Sequence, residues 1–212
     1  MQTRVEAGQG GFDEVVLVSD HGTARVSTLG ATVLSWVPRG GDEVLWRSPL
    51  SPYEVGRGIR GGIPVCWPWF GDRAPDGVSG SHGLVRGQRW TVEALSEEDS
   101  GAHVRLGVAH AGQMGVPAFR LTLSVRLTRE LTLKLTHENA GTETAVCAGA
   151  LHTYLRADAR VAYVDGLQGC SAFDKLTAQT VVVGARQGFA EPVDRVVACG
   201  QTVRLVDGAR VV

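Results

Sequence analysis

Two histidines stand in sequence contexts that suit chemistry. His82 lies in the run Ser-His-Gly-Leu-Val-Arg, and His152 lies in Gly-Ala-Leu-His-Thr-Tyr, an apolar run typical of a buried strand. Histidine is the side chain whose unperturbed pKa is nearest neutrality, so either residue could transfer a proton. A histidine on an apolar strand is also commonly a core residue with a satisfied hydrogen bond, and that alternative stays open for both. The remaining histidines are expected at the surface: His21, His103, His110 and His137.

Arginines flank the first of these histidines. Arg60 precedes a Gly-Gly pair, and Arg86 follows His82 by four residues. A guanidinium offers a planar fork of donors that matches phosphate oxygens, so two of them beside glycine-rich backbone could hold one phosphoryl group. Each arginine could equally be a solvated or ion-paired surface residue. The sequence therefore indicates an anion site here as one of two readings.

The elements that must position these residues are short strands. Residues 121–127 and 131–136 alternate apolar and polar side chains, and a reversal near Arg129 would join them in a hairpin. No window shows a sustained 3.6-residue apolar period, and glycine-rich turns separate the runs. We therefore predict an all-β, antiparallel sandwich. Further strands are predicted at 15–18, 90–92 and 103–108, with turns at 139–141 and 207–208.

One stretch differs from the rest of the chain in composition and in its pattern of apolar and polar residues. Residues 47–81 are rich in Pro, Gly and Trp and do not alternate. Such a segment is longer than an ordinary connecting loop, and binding residues are often found in long irregular segments. Because no linker, repeat or composition break is visible, we expect a single domain over 1–212.

Composition excludes several classes of function. The chain has 21 basic and 22 acidic residues, a formal net charge of -1. A protein that binds duplex nucleic acid or a membrane surface would need a large positive field. No run reaches the roughly 18 to 20 apolar residues of a transmembrane helix, and the first residues do not resemble a signal peptide. We therefore expect a cytoplasmic protein.

Metal and cofactor motifs are absent from the sequence. The four cysteines form no Cys-x-x-Cys pair, so no zinc or redox motif is expected and each is interpreted as a small buried hydrophobe. There is no His-x-His pair. Residues 56–61 match the dinucleotide pattern G-x-G-x-x-G, but Pro64 follows where a helix should begin. We expect neither a metal nor a cofactor.

The run Arg-Gly-Gly-Ile-Pro-Val-Cys-Trp-Pro-Trp-Phe-Gly at 60–71, followed by His-Gly-Leu-Val-Arg at 82–86, resembles a known family. It is similar to the glucose-6-phosphate 1-epimerases, or hexose-6-phosphate mutarotases, of the aldose 1-epimerase superfamily. The resemblance is collinear from about residue 15 to residue 205 and continues through 139–141, 150–154, 166–169, 173–175 and 193–195.

This resemblance implies a β-sandwich of galactose mutarotase-like type that binds a small phosphosugar. It also implies a reaction, the interconversion of the α and β anomers of a hexose 6-phosphate without cofactor or metal. A base removes the proton of the C1 hydroxyl while an acid protonates the ring oxygen, so the ring opens and can close on the other face.

The resemblance also implies roles for individual residues. His152 corresponds to the acid, Arg60 and Arg86 to ligands of the substrate and its phosphate, and His82 to a histidine that lines the pocket. Asp194 corresponds to an aspartate that binds sugar hydroxyls. The implied catalytic residue is therefore His152, with four substrate-binding residues around it.

Two departures from the family pattern bear on activity. Ser81 stands where the family usually has Gln, and no glutamate here matches the family's general base, which belongs to a C-terminal segment after an Asn-Pro-Trp element. We expect a sandwich short of the family's C-terminal strands. Two alternatives to an active epimerase stay open, a catalytically impaired phosphosugar-binding module and a truncated gene product. The sequence predicts no oligomeric state.

Overall fold

The computed structural model describes residues 2–72, 78, 80–98, 101–113, 115–208 and 210–212. Within these, short antiparallel strands predominate, as the alternating sequence predicts, and two 3-10 turns cover Gln9–Gly11 and Val85–Gly87. The chain divides into two compact units, Met1–Leu155 and Arg156–Val212, which are described in turn. The single domain over 1–212 stays a prediction. In the described part of the chain, no helix has the length and apolar character needed to cross a membrane.

The first unit contains two four-stranded sheets. The first has the order β1 (Gln2–Ala7), β2 (Asp13–Ser19), β3 (Gly22–Ser27) and β4 (Val33–Pro38). A short strand, β5 (Val65–Cys66), comes next along the chain. The second sheet has the order β6 (Thr91–Glu98), β7 (Gly101–His110), β8 (Phe119–Leu127) and β9 (Leu131–Asn139).

The hairpin of β8 and β9 confirms the alternation seen in the sequence. Leu121, Leu123 and Val125 are fully buried, whereas the residues between them point outward. Leu127 pairs with Leu131 across the turn. Because β2 packs against β7 and β8, the apolar faces of the two sheets enclose one core. The predicted sandwich is therefore present in this unit.

The irregular stretch 47–81 contains one described strand, β5, which pairs with β10 (Ala150–Leu151). The pairing is only two residues long, with Ala150 opposite Cys66. Isolated bridges join Arg47 to Gly61 and Trp67 to Gly83. The pairing of β5 with β10 holds the irregular segment beside the chain around residue 152, whereas the two bridges join the segment to itself and to Gly83.

The second unit contains two small antiparallel sheets. The strands are β11 (Tyr163–Asp165), β12 (Ser171–Asp174), β13 (Gln179–Val182), β14 (Arg186–Gly188), β15 (Arg195–Ala198), β16 (Arg204–Asp207) and β17 (Arg210–Val211). One sheet has the order β14-β11-β16-β17 and the other β13-β12-β15. Gly208 has φ +61° at the turn between β16 and β17, which confirms the predicted Asp-Gly turn.

The cysteines depart in part from the sequence interpretation. Cys66 is buried on β5 as expected, but Cys147, Cys170 and Cys199 are half-buried, so the prediction of four buried residues is wrong for three of them. These three lie outside the strands, where less of the core covers them.

Candidate active site

His152 follows directly after β10, and backbone hydrogen bonds hold this part of the chain in place. Its N–H donates to the carbonyl of Pro64 at 3.0 Å, and the N–H of Tyr154 donates to the carbonyl of Gly62 at 2.8 Å. The chain from residue 150 to residue 154 thus continues along the irregular segment beyond the two-residue strand. The imidazole is half-buried.

His82 is held by a reciprocal contact with Gly71. The His82 N–H donates to the Gly71 carbonyl at 2.8 Å, and the Gly71 N–H donates to Nδ1 of His82 at 3.2 Å. Since Nδ1 accepts a hydrogen bond, the neutral ring carries its proton on Nε2. This contact fixes the orientation of the His82 imidazole at the lining of a cavity.

The two histidines, far apart in sequence, stack on each other. The ring centroids of His82 and His152 are 5.5 Å apart, with 25° between the planes. Phe70 contacts both rings, at 4.8 Å from His82 and 5.4 Å from His152. Tyr154 lies 4.8 Å from His152 on another side. The four rings form an aromatic cluster at the edge of a cavity. Its two stacked imidazoles, His82 and His152, are called the histidine pair below.

That cavity has a volume of about 610 Å³, within the range of small-molecule sites. Three arginines line it, Arg57, Arg60 and Arg86, together with His82 and Tyr154. Arg57 is ion-paired with Glu54 at 2.8 Å, and both side chains are largely exposed. Ser48, Ser51 and Ser81 add hydroxyl groups to the lining. The lining is therefore polar and positively charged, which suits an anionic, hydroxyl-rich ligand.

Arg86 is the arginine with the most structural support. Its Nη2 donates to the carbonyl of Ser81 at 2.9 Å and lies 3.4 Å from the Ser81 hydroxyl. On its other side a Cβ at Gly58 would lie 2.8 Å from Cδ of Arg86, so the missing side chain of Gly58 makes room for the arginine stem. Ser81, the departure from the family pattern, thus orients the guanidinium.

The pKa of His152 is lowered from its ordinary value. Burial is the main cause, because it penalises the charged imidazolium, and the positive charge of Arg86 adds to the effect. His152 is therefore neutral at neutral pH in the free protein. An anion bound to Arg86 would offset the second cause.

Four of the five predicted site residues lie in the first unit. Arg60, His82 and Arg86 line one cavity, and His152 stacks on His82. Asp194 lies in the second unit, just before β15, where its carboxylate accepts from Lys175 Nζ at 2.7 Å. Its role as a sugar ligand stays a prediction.

Sequence reasoning did not single out the neighbours of the predicted residues. Phe70 lies in the run 60–71 and Tyr154 in the run 150–154, and both runs belong to the family resemblance, so the signal for them was present. Arg57 and Gly58 lie in the irregular segment, where only the folded backbone brings them to the cavity. Among the described residues, no three His, Cys, Asp or Glu side chains group as a metal site.

Comparisons with known proteins identify the family of the chain. A family model described as aldose 1-epimerase matches residues 13–172. A relative from Escherichia coli K12, named "Putative glucose-6-phosphate 1-epimerase", is 33% identical over 194 residues, covering 87% of this chain and 64% of the relative. A relative of the same name from Salmonella typhimurium is 44% identical over 88 residues, 41% of this chain and 30% of the relative. The chain thus spans less than two thirds of these relatives.

Solved structures show the same fold. The crystal structure of a "putative mutarotase" from Salmonella typhimurium matches with a TM-score of 0.82 and 30% identity, covering 92% of this chain and 67% of that one. A galactose 1-epimerase from Lactobacillus acidophilus, 14% identical, matches with a TM-score of 0.75 over 98% of this chain and 77% of its own, which shows the fold alone. Since the family model matches well over half of its residues, the chain belongs to the aldose 1-epimerase family.

Proposed function

We propose that this chain is a glucose-6-phosphate 1-epimerase, which interconverts the α and β anomers of a hexose 6-phosphate. The observation that carries the proposal is the position of Arg86. It lines the same cavity as Arg60 and His82, and its charge adds to burial, the main cause, in lowering the pKa of His152. A phosphate ligand and an acid catalyst would therefore act in one place.

The proposed mechanism follows from the protonation states. The substrate's phosphate binds Arg60 and Arg86 and offsets the smaller of the two causes that lower the His152 pKa, which favours the protonated form of His152. It then protonates the ring oxygen while a base takes the C1 hydroxyl proton. The ring opens, the C1 aldehyde rotates, and closure on the other face gives the other anomer. His82 lines the pocket and contacts the substrate, and the resemblance assigns Asp194 to the sugar hydroxyls.

An anomerisation assay tests the proposal. Pure α-glucose 6-phosphate is mixed with the protein, and the anomeric proton signals are followed by NMR. We expect a rate above that of buffer, and His152→Ala should reduce the protein-dependent rate by about 100-fold or more, as is typical for a lost acid or base. His21→Ala is the matched control, since His21 is exposed at a turn of the first sheet. A protein-dependent rate that His152→Ala leaves intact contradicts the assigned role.

A second candidate is a phosphosugar-binding module without catalysis. The observation that favours it is the cavity lining, which includes three arginines but no Asp or Glu among the described residues, so no carboxylate base is evident there. In this case glucose 6-phosphate binds saturably in calorimetry while the anomerisation rate equals that of buffer. Arg86→Ala should weaken binding, and Arg129→Ala in the β8–β9 turn is the matched control. Absence of saturable binding by the intact chain contradicts both candidates.

The cytoplasmic location stays a prediction.

A further inference from the structure

Two of the half-buried cysteines face each other across neighbouring strands of the second unit. Ser171, the first residue of β12, pairs with Ala198, the last residue of β15. Cys170 directly precedes β12 and Cys199 directly follows β15, so the register of the ladder brings them toward each other just beyond its last pair. Opposed residues in such a ladder have Cβ atoms about 4.5–5.5 Å apart, and a disulfide has them about 3.5–4.5 Å apart, so an approach of about 1 Å closes the bond.

A shared hydrogen-bond partner, Gln201, places the two thiols close together. Gln201 contacts both, since its Nε2 lies 3.8 Å from Sγ of Cys170 and its carbonyl accepts from Sγ of Cys199 at 3.7 Å. The strand pairing, rather than a Cys-x-x-Cys spacing, brings this pair together. Neither thiol has a role in the proposed epimerase chemistry.

We propose that Cys170 and Cys199 form a reversible intramolecular disulfide by exchange with a small-molecule disulfide such as oxidised glutathione. The pair closes a loop within the second unit, between two strands that are already hydrogen-bonded. Because the ladder sets the approach of the two residues, closing the bond needs little rearrangement of the backbone.

The exchange proceeds in two balanced steps. The Cys199 thiolate attacks one sulfur of oxidised glutathione, which breaks the glutathione disulfide and releases one glutathione thiolate. The Cys170 thiol then loses its proton and attacks the Cys199 sulfur of the mixed disulfide, releasing the second glutathione. The two protein thiols lose two electrons and two protons, and glutathione gains them. The same two steps balance with the roles of Cys170 and Cys199 exchanged.

Peptide mapping of the full chain tests this assignment. The protein is incubated with oxidised glutathione, free thiols are blocked by alkylation, and the chain is digested with trypsin. Cys170 lies in the peptide 161–175 and Cys199 in 196–204, while Cys66 and Cys147 lie in two other peptides. We expect a cross-linked pair of these two peptides, lighter than their sum by two hydrogen atoms and separated by a reductant.

Variants and a redox titration complete the test. Cys170→Ser and Cys199→Ser should each abolish the cross-link, and Cys147→Ser, the half-buried control, should retain it. In the unmodified protein the cross-linked fraction should rise as the ratio of oxidised to reduced glutathione rises, a readout that needs no variant to fold. The proposal is overturned if only glutathione adducts form, or if cross-links involve Cys66 or Cys147 as often as the Cys170–Cys199 pair.

Discussion

At the scale of single residues, the charge state of His152 is the central question for catalysis. Burial and Arg86 both lower its pKa in the free protein, which disfavours the protonated form that an acid catalyst needs. The protonated fraction falls as pH rises through the pKa. In the free protein His152 is therefore mostly protonated only at a pH below the ordinary histidine pKa. A bound phosphate dianion beside Arg86 offsets the smaller of the two causes, so substrate binding favours the protonated form of His152.

This coupling predicts a ligand-dependent titration of His152. Glucose 6-phosphate should raise the His152 pKa, followed through the imidazole proton signals by NMR. Arg86→Ala should raise that pKa in the free protein by the smaller share that Arg86 contributes, and should largely remove the effect of the ligand. An unchanged His152 pKa at saturating ligand would contradict the mechanism.

At the scale of elements, a bridge between two distant loops holds the site together. Gly83 follows His82 directly and bridges Trp67 in parallel fashion, and the Leu84 N–H donates to the Trp67 carbonyl at 2.8 Å. Gly83 has φ +77°, and a Cβ there would lie 2.1 Å from the Trp67 carbonyl oxygen. The position therefore requires glycine both for its backbone angle and for the close approach.

Gly83→Ala should accordingly destabilise the protein and disturb the histidine pair. Gly40→Ala is the matched control, because Gly40 has φ +72° but an added methyl group would meet nothing within 4 Å, so this variant isolates the backbone strain of about 1–2 kcal/mol. The contact with Trp67 should add a further ~1–3 kcal/mol. Urea denaturation measures both, with glucose 6-phosphate affinity as the second readout. Equal losses for the two variants would show that the approach to Trp67 can relax.

Local and distant pairings differ in how well the sequence predicts them. The hairpin of β8 and β9 follows from alternation in adjacent residues, where each run predicts its own face and the turn predicts the pairing. The pairing of β5 with β10 covers two residues separated by more than 80 positions, too short to leave a periodic signal. The opposition of Cys170 and Cys199 likewise depends on the register of strands far apart in sequence.

The candidate site shows the same division. Residue types alone suggested proton transfer at His82 and His152 and anion binding at Arg60 and Arg86, and the family motifs added their roles. The orientation of Arg86 by Ser81, and the space left by Gly58, could not be predicted because they depend on side-chain packing in an irregular segment.

At the scale of the whole molecule, charge is balanced overall but concentrated at the cavity. The formal net charge is -1, yet Arg57, Arg60 and Arg86 all line one cavity in the first unit. The molecule as a whole offers no long-range attraction for anions, so affinity for a phosphosugar must come from this local cluster. Arg57 already has an acidic partner in Glu54, which leaves Arg60 and Arg86 as the main phosphate ligands of the proposal.

The local cluster predicts a salt dependence that is specific to the phosphate. Raising NaCl from about 50 to about 500 mM should weaken glucose 6-phosphate binding several-fold, because the Debye length shortens from roughly 14 to roughly 4 Å and exposed arginines are screened. Affinity for glucose, which lacks the phosphate, should be nearly independent of salt. Calorimetry at both salt concentrations measures the two ligands, and Arg86→Ala should reduce the salt effect as well as the affinity. An equal salt dependence for glucose and glucose 6-phosphate would mean that the arginines do not hold the phosphate.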